Sequence, residues 1–243
     1  VTTLVRIQQR VGVPVDGKWG PATAEAIWRA LGPQKTTALA QPAAFYAYVR
    51  AGQLLGPTLS PGEVEGCDAI LTACGRDAWP IGFVAYALAT AYHETAGTMQ
   101  PIHELGGPTY LRRMYDIQGA RPAKARELGN LTPGDGVRYA GRGYVQLTGR
   151  TNYDKAGQAL GVDLIGSPDL AMKPEVAADI MVMGMRDGWF TGRKLSDDIP
   201  ASGSATAAQF QASRDIINGS DKAAKIATEA VEFQAALMAG GWA

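Results

Sequence analysis

The strongest constraint in this chain is a twelve-residue stretch, Ile81–Tyr92, in which nearly every side chain is apolar or small. Pro80 opens it, as suits the start of a helix, and Gly97 closes it after the polar residues His93, Glu94 and Thr95. A helix that is apolar all round belongs at the centre of a core, with other helices packed about it. At about 1.5 Å per residue it falls well short of the roughly 30 Å of a hydrocarbon layer, so stable membrane insertion is not expected.

The surroundings read as further helices. Phe45, Val49 and Leu54 start one. Ser60-Pro61-Gly62-Glu63 opens another, with Ser60 as N-cap and Pro61 at the first helical position, running to about Cys74. Helices resume near 152–160, 175–189, 205–217 and 221–239. Residues 105–143, rich in Gly, Pro and polar side chains, read as a long irregular region, and loops of that length are usually functional. A brief strand pair, Arg138–Tyr139 with Tyr144–Gln146, is the only sheet expected. The fold class is therefore mainly α, with very little sheet.

With 23 basic and 23 acidic residues the formal charge is zero, which excludes nucleic-acid binding through a strong overall basic field. Cys67 and Cys74, seven apart on one helix, stand about 10 Å from each other, beyond the roughly 4.4–6.8 Å of a disulfide. They are expected as buried free thiols. Two histidines and no HExxH or CxxC spacing argue against a metal site, and nothing calls for a cofactor.

Residues 1–33 read as a small helical unit, with Asp16-Gly17 as its turn and a second helix from Pro21 or Ala22 to Leu31. Residues 34–44 read as a linker and 45–243 as the main domain. The segment IQQRVGVPVDGKWGPATAEAI resembles the peptidoglycan-binding module of bacterial and phage wall hydrolases. That resemblance implies wall contact through Asp16, Gly17, Trp19, Gly20 and Thr23.

Three features could carry chemistry. Glu94 ends the apolar helix, where the macrodipole and desolvation both disfavour its charge. A general acid needs such a setting. Read from the residue alone, a helix-end salt bridge fits Glu94 equally well. Glu104 follows ten residues later, past Gly97 and Pro101, so the chain can turn back toward Glu94. Paired carboxylates cut glycosidic bonds, but two Glu at this spacing also occur as plain surface residues. The segment YAGRGYVQLTGRTNY, Tyr139–Tyr153, offers Arg142, Gln146, Thr148 and Asn152 as donors and acceptors. Tyr139, Tyr144 and Tyr153 add flat faces on which sugar rings could stack. A structural loop is the competing reading.

HETAG (His93–Gly97), Glu104, GDG (Gly134–Gly136), GRGYVQLTGRTNY and IING (Ile216–Gly219) occur in that order. Together they resemble glycoside hydrolase family 19, over about residues 45–240, in the branch used by phage endolysins, and the resemblance implies its lysozyme-like α+β fold. The resemblance implies Glu94 as general acid, Glu104 as general base and Thr148 as the holder of the attacking water. Gln146, Asn152 and Asn218 fall on substrate-contacting positions, and His93 supports or tunes its neighbour. The interval from Glu94 to Glu104 is shorter than in the plant chitinases of the family and suits an endolysin-like groove. The implied reaction is inverting hydrolysis of β-1,4 bonds in peptidoglycan glycan strands. Chitin hydrolysis, lytic transglycosylase action and a catalytically dead glycan binder are the alternatives. A monomer is expected. With no signal segment visible, so is accumulation in a host cytoplasm before release to the wall.

Overall fold

The computed structural model describes residues 3–11, 14–20, 23, 39–52, 54–217 and 221–242. Helices dominate. They are α1 (Thr3–Val11), α2 (Pro42–Ala51), α3 (Pro61–Arg76), α4 (Ile81–Glu94), α5 (Gly107–Tyr115) and α6 (Pro122–Glu127), followed by α7 (Asp135–Arg138), α8 (Arg150–Leu160), α9 (Pro174–Asp187), α10 (Ala207–Ala212) and α11 (Ala223–Ala239). Short 3-10 turns fill Pro168–Met172, Leu195–Asp197 and Ser213–Ile216. Among the described residues the sheet is a single pair, β1 (Ile102–His103) with β2 (Arg142–Gly143). Among the described residues no helix is long and apolar enough to cross a membrane.

The chain forms two compact units that do not follow its linear order. One contains the described residues of Val1–Gln34 with His103–Arg142 and Gln146–Lys173; the other contains those of Lys35–Ile102, Gly143–Val145 and Pro174–Ala243. The second is built round α4. Every residue from Gly82 to Ala91 is buried there, as the apolar run requires, and α11 packs along it, with α2 and α10 packed on α11 in turn. α9 packs on α3. Ser60 and Glu63 form a reciprocal capping box at the start of α3: the Ser60 N–H donates to Glu63 Oε2 (2.6 Å) and the Glu63 N–H to Ser60 Oγ (3.2 Å). Cys67 and Cys74 are buried free thiols, and burial pushes both above the ordinary thiol range.

After α4 the chain reverses sharply. Ala96, Gly97 and Met99 all adopt positive φ (51°, 86° and 53°). Thr95 holds the turn: its hydroxyl donates to Ala91 O (2.7 Å) and accepts from the Met99 N–H (3.0 Å). Met99 itself is fully buried, with its carbonyl against Gly66 of α3.

Several expectations are corrected. Residues 105–143 are not irregular: they carry α5, α6 and α7, short helices whose Gly and Pro residues sit at their starts rather than breaking them. The strand expected at Arg138–Tyr139 is instead the end of α7, and β2 pairs with β1, while Arg142 bridges to Leu147 across a tight turn. The linker expected to reach 44 gives way to helix at Pro42. Leu39 is already buried, and the N–H groups of Ala40 and Gln41 bond the carbonyls of Gly241 and Gly240. The helix expected over 205–217 is α10 followed by a 3-10 turn. The second N-terminal helix lies, apart from Thr23, outside the described residues.

Candidate active site

Glu94 sits in the last turn of α4 and is partly buried. Tyr86, Thr90 and Glu94 recur every four residues and so share one face of the helix. That face meets the 3-10 turn Ser213–Ile216: the Tyr86 hydroxyl donates to Ser213 O (2.8 Å), and Arg214 Nη1 lies 2.9 Å from Glu94 Oε1. Arg214 is 2% exposed, and its Nε donates to Asp221 O (2.9 Å), which fixes the guanidinium. The salt bridge that remained open for Glu94 is therefore present, with a partner 120 residues away that no local pattern announces. His93 is half-buried beside it. Desolvation holds its imidazole below the ordinary range, against the pull of Glu94.

Glu104 belongs to the other unit and is clamped there on three sides. Its own N–H donates to Gly141 O (2.8 Å), the Gly141 N–H donates back to Oε2 (3.2 Å), and the Tyr115 hydroxyl donates to Oε1 (2.7 Å). Tyr115 closes α5 and was not singled out from the sequence. Burial and the bond to Glu104 raise its phenol above the ordinary range, so it stays a donor.

Gly141 is where three of the sequence candidates converge. A Cβ at that position would stand 2.6 Å from Gln146 Oε1, 3.0 Å from Glu104 Oε2 and 3.1 Å from Thr148 Oγ1. Only a residue without a side chain lets a carboxylate, an amide and a hydroxyl gather so closely. Gln146 is held in the left-handed region (φ 54°), unusual for a residue with a side chain. Thr148 Oγ1 donates to Gln146 O (3.0 Å), and Asn152 Nδ2 donates to Thr148 O (2.7 Å), tying the turn to the start of α8.

The tyrosines are not stacking platforms. Tyr139, Tyr144 and Tyr153 are each 1% exposed or less. Tyr153 donates to Ala140 O (2.8 Å) and accepts from Arg142 Nη1 (2.9 Å). Arg142, expected to contact substrate, is buried too and spends its donors on Arg138 O, Ala140 O and Asp169. These residues brace the loop because aromatic bulk and a guanidinium with several donors are the parts that rigidify an irregular backbone. The GDG motif works likewise. Asp135 is buried and paired with Arg150 (3.0 and 3.1 Å), which lies over the Tyr139 ring. Asn218 lies outside the described residues.

In the N-terminal segment the motif residues converge on Gln8, which the sequence did not flag. Gln8 Nε2 donates to Asp16 Oδ1 (2.7 Å), Lys18 O (2.9 Å) and Thr23 Oγ1 (3.1 Å), while the Gly17 N–H donates to Gln8 Oε1 (3.0 Å). Gly17 takes positive φ (67°). The Lys18 N–H, together with Gln8, holds the Asp16 carboxyl below its usual value. Trp19 is 62% exposed. Beside it, Gly20 and the segment 154–165 line a cavity of about 360 Å³. Among the described residues no group of three or more His, Cys, Asp or Glu is gathered in a way that could hold a metal ion.

The profile of the family described as chitinase class I, glycoside hydrolase family 19, matches residues 69–227. The acidic 27 kDa endochitinase of Solanum lycopersicum is 41% identical over 98 residues, 35% of this chain and 38% of that protein. Chitinase 8 of Oryza sativa subsp. japonica is 50% identical over 52 residues, 21% of this chain and 18% of that protein. The chain thus spans less than two fifths of the length of these curated relatives. Chitinase C from Streptomyces griseus HUT6037 shares the fold, with a TM-score of 0.53 at 21% identity over 84% of this chain and 78% of that one.

Proposed function

Because the chain belongs to glycoside hydrolase family 19, we propose that it hydrolyses β-1,4 bonds between N-acetylated aminosugars, with bacterial peptidoglycan as its substrate. The observation that carries the reaction is the convergence of Glu104, Gln146 and Thr148 about Gly141. A carboxylate and a hydroxyl side by side are what is needed to hold a water and take its proton. In this reading Glu104 is that base. Glu94, fixed by Arg214, protonates the leaving oxygen, and the product inverts. Gln146 and Asn152 contact the sugar, and His93 supports the acid.

Peptidoglycan is favoured by the hydrogen-bonded Asp16–Gly17–Thr23 cluster about Gln8, with Trp19 exposed beside it. An endolysin-like role, with release from a host cytoplasm to the wall and action as a monomer, goes with that substrate. Chitin is the second reading, favoured by the relatives named as chitinases. Product analysis on purified peptidoglycan and on chitin decides between them. New reducing ends from the wall polymer are the expected result; anhydro-sugar ends would make the protein a lytic transglycosylase, and release from chitin alone would make it a chitinase. Glu94→Gln is expected to lower turnover by about 10²–10⁴-fold. Full activity in that variant removes Glu94 from the mechanism.

A further inference from the structure

The formal charge of the chain is zero, yet residues 107–150 carry eight Arg or Lys against three Asp or Glu. The three acids do little to offset that excess. Asp116 is 4% exposed and accepts from the N–H groups of Gly134 (2.7 Å), Gly136 (3.3 Å) and Gln118 (3.2 Å). Asp135 is 3% exposed and paired with Arg150. Glu127 pairs with Lys124. Arg112 and Arg113 are exposed, and neither has a side-chain hydrogen bond or an ion pair with another described residue. Arg138 is exposed and donates only to the carbonyls of Ile165 and Gly166.

These uncompensated cations face cavities. Arg112 and Arg113, with Gln118 and Gly134, line one of about 660 Å³. Arg112, Gly134 and Arg138 line a second of about 620 Å³. Arg112 and Gly134 belong to both. Arg112 also lies three residues before Tyr115 on α5, hence on the adjoining helix surface, and Tyr115 holds Glu104. A group bound at Arg112 is therefore within one helical turn of the residue that anchors the base.

We propose that this pair of cavities is an anion-binding subsite for the carboxylates of the peptide stems on wall glycan. Chitin carries no such group. The subsite would make the hydrolase read the stem as well as the sugar, and it rests on the peptidoglycan reading above. Two exposed arginines lining one open cavity match carboxylates on a flexible peptide, because a guanidinium can hold a carboxylate through two parallel N–H bonds. Phosphate on other wall polymers is the competing source of negative charge.

The test is calorimetric titration of the full chain with an N-acetylated stem tetrapeptide and, separately, with inorganic phosphate. The peptide is expected to bind wild type, more weakly as NaCl is added. R112Q/R113Q should weaken binding at least about tenfold, with the melting temperature unchanged, and R112K/R113K should retain part of it. Unaltered affinity in R112Q/R113Q, or no peptide binding to wild type, overturns the proposal. Binding of phosphate while the peptide is silent overturns the stem assignment. If the peptide binds in this arginine-dependent way but intact wall is not cleaved, the subsite stands and the peptidoglycan reading falls separately.

Discussion

Gly141 shows how much one missing side chain can decide. Its backbone accepts from and donates to Glu104, and the space above its Cα is filled by three functional groups. G141A keeps an allowed backbone but places a methyl 2.6 Å from Gln146 Oε1 and 3.0 Å from Glu104 Oε2. Displacing catalytic groups by about 1 Å costs roughly 10²-fold. A loss of that size in kcat on a soluble oligosaccharide is expected, with the circular dichroism spectrum unchanged. Tyr115 is a gentler case. Y115F deletes one donor to Glu104 and leaves the ring, so kcat should fall by about tenfold or less while KM holds. A rise in KM with kcat intact would make Tyr115 a substrate contact instead.

Among the elements, α3 shows how one glycine can set a helix's position. A Cβ on Gly66 would stand 1.7 Å from the carbonyl oxygen of Met99, a residue whose own N–H is held by the Thr95 hydroxyl. G66A is expected to destabilise by more than about 3 kcal/mol in denaturant unfolding, because neither helix nor turn can yield. Gly62, one helical turn earlier, is the control. Its Cβ would meet only the flexible Gln100 side chain at 3.3 Å, so G62A should change stability by no more than about 1 kcal/mol.

At the scale of the whole molecule, the pH dependence of stability has a buried acid to report. Asp179 of α9 bonds Arg76 of α3, and desolvation, with Asp77 and Glu175 adding to it, raises its carboxyl to about 7 against the pull of Arg76. In the unfolded chain the same group ionises near 3.8. Between those values the native state holds a proton that the unfolded state has lost. This contribution is therefore full below about pH 4 and is lost as pH rises through about 7. Chemical unfolding at pH 5 and pH 8 should show a drop that D179N reduces. An identical drop in D179N assigns it to other groups.

The apolar run at Ile81–Tyr92, the Ser60 capping signal and the glycine-rich block after Tyr139 were legible in the sequence. Each is a local rule: periodicity, a side chain reaching its own helix end, or backbone freedom. Glu94, Glu104 and Thr148 were candidates on local pattern, which left each of them open, and family resemblance supplied their roles. The tertiary structure alone supplied Arg214 for Glu94, Tyr115 for Glu104 and Gln8 for the Asp16 turn. Those partners lie 120, 11 and 8 residues away, and the two residues of each pair do not share a helix or strand, so no local repeat connects them. The tyrosines of the glycine-rich block, which the sequence offered as open sugar platforms, were likewise decided only in three dimensions. An aromatic ring buries the same way whether it serves a ligand or its own fold, and only the surrounding atoms show which.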